Sequence, residues 1–291
     1  MKILITGSKG QLGSEIRELS TNYKNLSFTF TDIEELNITN YNELNIYFQK
    51  NKFDTIINCA AYTAVDKAET DKESASLLNK NSVNFLSEFA SSQNALLVHI
   101  STDYVFDGRN CKPYLETDLT NPKSFYGKSK LDGEVEVIFQ SKKAMIIRTS
   151  WLYSSYGTNF VKTILKAAKE KGELKVVSDQ IGTPTYARDL AKAILNILPV
   201  YNTENKFEIF NYSNEGATSW YDFAKEITEI AGIKCSISPI ETKDYHTPAV
   251  RPFYSVLNKS KIKNQFNITI PYWKDSLKEC IKKISEEKKK L

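Results

Sequence analysis

Short, almost wholly apolar runs alternate with longer amphipathic segments through the first two-thirds of the chain. The runs are Lys2–Thr6, Phe28–Asp32, Thr55–Ala60, Leu96–Ser101, Ala144–Thr149 and Lys175–Ser178. A strand with one wet face would alternate apolar and polar residues. These runs do not, so they read as strands covered on both sides. Between them lie segments with helical spacing, such as Leu12/Ile16/Leu19 and Leu77/Leu78/Phe85/Phe89. This alternation predicts an α/β architecture, a doubly wound parallel sheet. Right-handed crossovers then put the ligand crevice at the carboxyl ends of the strands.

After about Trp151 the rhythm loosens. Helical spacing returns over Thr158–Lys171, Tyr186–Leu198, Trp220–Ala231 (behind a Thr218/Ser219 cap) and Tyr272–Lys283. Pro239, Pro248 and Pro252 mark irregular connections. The expected organisation is a sheet domain over 1–150 that also receives parts of 175–200, and a smaller C-terminal substrate-binding lobe mainly over 151–291. With 291 residues, 41% of them hydrophobic, the chain can bury a sizeable core. Its formal charge of +4 resides largely in Lys282–Lys290, where lysine and glutamate mix. Such a run reads as a solvated helix face, so no nucleic-acid partner is expected. The four cysteines, Cys59, Cys111, Cys235 and Cys280, are scattered, with no CxxC and no Cys/His cluster. Neither zinc nor a disulfide framework is expected. The apolar start runs directly into a glycine turn and no run reaches membrane-span length, so the expectation is no membrane and a cytoplasmic setting.

Thr6-Gly7-Ser8-Lys9-Gly10-Gln11-Leu12-Gly13 follows the first strand and opens a helix. The spacing is G-x-x-G-x-x-G. Gly7 permits the tight turn, Gly10 lets a pyrophosphate approach the backbone, and Gly13 lets the helix close on the strand. The free amides of the helix start would face the anion. An ordinary strand–helix turn is the alternative; the position between an N-terminal strand and an amphipathic helix favours a dinucleotide. Asp32 ends the second strand about 20 residues on, where a carboxylate can accept the adenosine ribose hydroxyls and repel a 2′-phosphate. That leans towards NADH, but Lys9 could offset the repulsion, so NADPH or NADH stays open. Asp32 could instead cap a turn.

Tyr126 and Lys130 stand four residues apart in Ser124-Phe-Tyr-Gly-Lys-Ser-Lys130. On a helix they share a face. A free phenol has a pKa near 10, and a neighbouring ammonium would lower it. Tyr126 could then donate its proton to a carbonyl oxygen as hydride arrives at the carbon. Lys130 could also hold a nicotinamide ribose. Alone, the pair would read as an amphipathic surface pair; behind a phosphate loop it reads as catalytic. Thr102 and Asp103 follow the fourth apolar run. Thr102 offers a hydroxyl to polarise the same carbonyl and Asp103 a group to orient substrate, unless they simply form a strand-end turn. Asn58-Cys-Ala-Ala-Tyr-Thr63 ends the preceding strand with small residues that would let a flat cofactor pass.

Together these segments resemble an extended short-chain dehydrogenase/reductase, whose sheet domain is of the Rossmann type. More narrowly, the chain resembles the dTDP-4-dehydrorhamnose reductase family in Cys59–Glu69, Ser101–Phe106, Tyr126–Lys130, Arg148–Tyr153, Asn159–Thr163, Asp179–Thr185 and Thr247–Pro252. The likeness runs from residue 1 to about 280. It implies hydride transfer from NADPH or NADH to C4 of a dTDP-linked 4-keto-6-deoxyhexose. Tyr126 would be proton donor and Lys130 its partner, both against the cofactor. Thr102, Asp103 and Trp151 would contact the sugar, although Trp151 could equally be a core aromatic. Gly7, Gly10, Gln11, Leu12, Gly13, Asp32, Asn37, Ile38, Ala61, Tyr62 and Thr63 would lie on the dinucleotide. Asn79 matches an asparagine of the family's helix motif, and Arg251 is the candidate for a diphosphate contact.

Some members of the family dimerise through a magnesium site built from glutamates. This chain has Glu15 at one such position and Arg188 at the other, and arginine cannot ligate magnesium. No metal is therefore expected, and the chain should be a monomer or weak homodimer. The resemblance also admits a related 4-ketoreductase, forming 6-deoxytalose or using a UDP-linked sugar, and a non-catalytic dinucleotide-binding regulatory subunit.

Overall fold

The computed structural model describes residues 1–202 and 206–289, the last two by their backbone. Six strands, β1 (Lys2–Thr6), β2 (Ser27–Phe30), β3 (Thr55–Asn58), β4 (Leu96–Thr102), β5 (Ala144–Thr149) and β6 (Phe207–Asn211), form one sheet. Their order is β6-β5-β4-β3-β1-β2, and every pairing is parallel. The strand order reverses between β1 and β3, where Thr6 lies beside Asn58. A doubly wound sheet opens its ligand crevice at that switch point.

The two faces of β1 and its neighbours fill separate cores, as the pleat requires. Ile3, Ile5, Ile57, Val98 and Ile147 pack under the helices Gln11–Leu19 and Ala187–Ile197. Leu4, Ile56, Leu97 and Ile146 face the other way, onto Leu44, Phe48, Leu86 and Val137. Each fully buried aliphatic of this kind contributes about 1.5–3 kcal/mol. This settles why β3, β4 and β5 read as continuous apolar runs. β2 is an edge strand with alternating exposure, and covering on both faces does not apply to it.

Lys175–Ser178 is not a strand of this sheet. It belongs to Glu173–Val177, half exposed, which pairs in parallel with Ser236–Ile240 in the lobe. β6 takes the sixth place instead. It is an edge strand carrying Glu208, which weakens its apolar signature.

The lobe packs the helices Phe160–Lys171, Trp220–Ile230 and Trp273–Lys289 around Tyr153, Val161, Phe223, Ile227, Leu277 and Ile281. Their starts are locally encoded. Asn159 accepts from Lys162 N at 3.1 Å, and Ser219 accepts from Asp222 N at 3.0 Å. The lysine-rich tail is not uniformly a solvated face: Lys283 lies against Glu18 and Glu15 of the Gln11–Leu19 helix. Lys290, the end of that run, lies outside the described residues. No helix among the described residues is long and apolar enough to cross a membrane.

Candidate active site

Gly7 takes a φ of +64°, and a Cβ there would sit 2.6 Å from Ala60 N, so the ends of β1 and β3 meet at bare backbone. Gly13 is equally tight, 2.5 Å from Gly7 O. At Gly10 the nearest atom would be 3.2 Å away, which leaves the crevice side open. Gly10 also begins the Gln11–Leu19 helix, and no side chain caps it. Its first amides are thus left for an anion. A cleft of about 360 Å³ continues from here, lined by Gly7, Gly10, Asp32, Asn37, Ile38 and Ala61 among others. These features fit a dinucleotide.

Asp32 sits on the cleft rim with both carboxylate oxygens engaged, accepting from Lys9 N and Ile33 N at 2.8 and 2.9 Å. The Lys9 ammonium pairs with Glu34 and Glu35. Leu12 buries its side chain in the core, which leaves only its backbone for a ligand. Gln11 points to the lobe and accepts from Asn159 Nδ2 at 2.9 Å. Ala61–Thr63 is held from behind. Asn79, wholly buried, accepts from Tyr62 N at 2.8 Å and donates to Tyr62 O at 3.1 Å and Ser129 Oγ at 2.9 Å. The Asn37 carboxamide oxygen accepts from Thr39, and Thr63 is exposed.

Ser124 caps the helix Phe125–Gln140, accepting from Gly127 N at 3.1 Å. Gly127 and Gly133 let that helix press against its neighbours, since a Cβ would meet Tyr104 O at 2.3 Å or Asn79 O at 2.2 Å. The helix brings Tyr126 and Lys130 to the end of β4, where Thr102 and Asp103 are 5% and 2% exposed. Burial pushes the Tyr126 phenol up to about 12, opposed by the neighbouring Thr102 hydroxyl and reinforced by the Asp103 charge. Lowering by the Lys130 ammonium, expected from spacing, is not what governs Tyr126 here. Lys130 Nζ instead donates to Ile100 O at 2.6 Å, and burial brings this lysine down to about 8 against the pull of Glu134.

Burial likewise raises Asp103 to about 7. Its Oδ1 accepts from Thr102 Oγ1 at 3.1 Å, and its buried Oδ2 has no well-aligned partner among the described residues. The end of β4 thus gathers a protonated phenol, a hydroxyl and an under-satisfied carboxyl, groups chemically suited to a polar, proton-accepting ligand.

Trp151, at a φ of +46°, stacks on Trp220 with ring centroids 3.5 Å apart. One indole face is therefore taken. The edge of Trp151 packs against Gly182, which also lies beside Ser255 on the way to Asp103. Arg251 lies within electrostatic range of Tyr104, whose ring meets Tyr126 edge-on. Its fork is filled by Asp66, at 2.9 and 2.7 Å, so a diphosphate would have to compete with that carboxylate. Glu15 is buried and accepts from Ser154 Oγ, Arg188 and Lys283 at 2.6, 3.0 and 3.3 Å. Its carboxylate is thus neutralised by two cations.

Several participants escaped the sequence reading. Glu134, one turn past Lys130, holds Arg148 through a bidentate pair at 2.9 and 2.7 Å and accepts from Ser101 at 2.5 Å. Its i, i+4 spacing from Lys130 was the available signal. Ser255 carried no comparable one, and Asn58 was singled out only as the start of the small-residue stretch that ends β3.

The switch-point crevice and the Tyr126–Lys130 helix beside it define an NAD(P)-dependent oxidoreductase of the extended short-chain type. A family model described as "RmlD substrate binding domain" matches residues 1–286. The dTDP-4-dehydrorhamnose reductase of Aggregatibacter actinomycetemcomitans is 40% identical over 285 residues, covering 95% of this chain and 97% of that protein. Two solved dTDP-4-dehydrorhamnose reductases are also similar. That of Clostridium acetobutylicum has a TM-score of 0.92 and 43% identity, covering 98% of this chain and 100% of the other. That of Bacillus anthracis, solved in complex with NADP, has a TM-score of 0.91 and 35% identity, covering 97% and 99%. The chain belongs to the dTDP-4-dehydrorhamnose reductase family.

Proposed function

We propose that this protein reduces the C4 ketone of dTDP-4-dehydro-L-rhamnose to dTDP-L-rhamnose, with Tyr126 as proton donor and NADPH or NADH as reductant. The observation that carries the reading is Tyr126 itself: a half-buried phenol that its helix brings to the end of β4, with Thr102 and Asp103, in a fold whose switch point holds a glycine-lined cleft. Held at about 12, the phenol keeps its proton at neutral pH, which is the form a general acid needs. Thr102 Oγ1 would steady the carbonyl oxygen, and Asp103 would orient the sugar. The reduced nicotinamide, when bound, supplies the hydride. Gly7, Gly10, Gly13 and the first amides of the Gln11–Leu19 helix would hold its pyrophosphate, Asp32 and Asn37 the adenosine end, and Lys130 the nicotinamide ribose. Trp151 would offer the sugar an edge, and Arg251 would reach the diphosphate only by leaving Asp66. Both cofactors stay in the proposal. Asp32 disfavours a 2′-phosphate, yet Lys9 stands close by between two glutamates.

NAD(P)H consumption with dTDP-4-dehydro-L-rhamnose tests the reading, run with each cofactor and with Tyr126→Phe. The wild type should turn over, and the variant should lose about 10²–10⁴-fold in kcat. No wild-type turnover, or a product with the talose configuration at C4, overturns the assignment. With Glu15 already neutralised by Arg188 and Lys283, the protein should be a monomer or weak homodimer without a metal bridge. Its native mass should not change with chelator; a magnesium-dependent dimer would refute this.

A further inference from the structure

A line of buried polar groups crosses the sheet from the phosphate loop to the catalytic lysine. Thr6 Oγ1, at the end of β1, donates to Asn58 Oδ1 at 2.8 Å. Asn58 Oδ1 also accepts from Ala60 N at 3.1 Å. These two donors fix the carboxamide, since its oxygen must face them. The Asn58 amide nitrogen then faces His99 Nδ1 at 3.3 Å. An amide nitrogen can only donate, so Nδ1 of the imidazole is the acceptor and carries no hydrogen. His99 is fully buried, and burial with the Lys130 charge holds it neutral. Its one hydrogen is therefore on Nε2, which lies 3.5 Å from Lys130 Nζ.

An N–H aimed at a lysine disfavours the ammonium and favours the amine. The groups facing Lys130 are His99 and Ile100 O from β4 and, on its own helix, Tyr126 one turn before and Glu134 one turn after. Glu134 is already shared with Arg148 and Ser101, so it offers Lys130 only part of its charge.

We propose that His99 is a positioning residue for proton transfer, its Nε2–H, set by Asn58, stabilising the neutral Lys130 amine. The inference rests on the reductase reading above. Once Tyr126 has given its proton to the C4 alkoxide, the phenolate must regain one. The Lys130 ammonium, one turn along the same helix, gives it: a lysine N–H breaks and the tyrosine O–H re-forms. The amine left behind accepts from His99 Nε2–H until solvent reprotonates it. No electrons move beyond the hydride already counted.

The chain has two histidines, His99 and the exposed His246, so ¹⁵N-histidine NMR reads the proposal without substrate. His99 should show its hydrogen on Nε2 and should not titrate between pH 5 and 8. A hydrogen on Nδ1, or titration of His99 in that range, overturns the inference and leaves the reductase assignment intact. Kinetics gives a second arm. His99→Gln presents a carbonyl able to accept from the ammonium, so the alkaline limb of kcat/KM should move up by about one pH unit. An unmoved limb in a folded, active variant also overturns it. If neither protein turns substrate over, the reductase reading fails while the NMR still decides the tautomer.

Discussion

The sheet half and the lobe bury their polar groups in different ways. In the sheet half, charged and hydrogen-bonding side chains pass between packed elements: Glu134 with Arg148 and Ser101, Asn79 with Tyr62 and Ser129, Asn58 with Thr6 and His99. The lobe core is apolar and built around a cluster of rings, with Phe223 flanked by Trp151, Tyr153, Phe160 and Trp273. The difference teaches where each half tolerates change. Polar pairs fail when one partner goes, because the other is stranded in low dielectric. Stacked rings can slide.

The largest expected effect is therefore in the sheet half. Arg148→Met strands the Glu134 carboxylate, which is 1% exposed, and should cost about 3–5 kcal/mol in a urea melt. A loss below 1 kcal/mol would break the contrast.

Asp103 sharpens it from the opposite side. Its native pKa is raised from 3.8 to about 7, so the folded state binds the extra proton between those values. Stability is then lost as pH rises through that window. Asp103→Asn should be more stable than wild type at pH 8 by up to about 4 kcal/mol, at about 1.36 kcal/mol per unit, with the gain vanishing below pH 4. Its reductase activity should fall. Parallel stability curves for the two proteins across that range would rule this out.

The smallest effects come from paired glycine substitutions. Gly7→Ala forces a Cβ against Ala60 and Cys59 backbone at positive φ and should cost about 3 kcal/mol. Gly182→Ala meets the Trp151 indole at 2.6 Å and Ser255 Oγ at 2.8 Å, both side chains that can shift. It should cost about 1 kcal/mol and raise the KM for the sugar nucleotide while leaving NAD(P)H affinity unchanged. Equal losses in the two variants, or a shift in cofactor affinity with Gly182→Ala, would show that the halves are not so different.

Much of the candidate site was legible because its signals are local. The glycine spacing, the Tyr126–Lys130 interval and the serine and asparagine caps each operate within one turn or one loop, where a residue's neighbours are known from the chain. Arg251 was legible as a cation but not as one already paired with Asp66, 185 residues away. The sixth strand was misplaced for a related reason. Glu173–Val177 and Phe207–Asn211 have similar propensities, and only packing against β5 selects between them.

By itself the amino-acid sequence determined the doubly wound sheet, the crevice at its switch point and the residues that meet there. Periodicity and turn chemistry act at short range and need no partner. Protonation, tautomer and pairing were decided by the tertiary structure alone. Tyr126 near 12, Lys130 near 8, the hydrogen on His99 Nε2 and the neutralised Glu15 all depend on which distant groups burial brings into contact. Desolvation and hydrogen bonding are properties of the packed site, and no spacing along the chain encodes them.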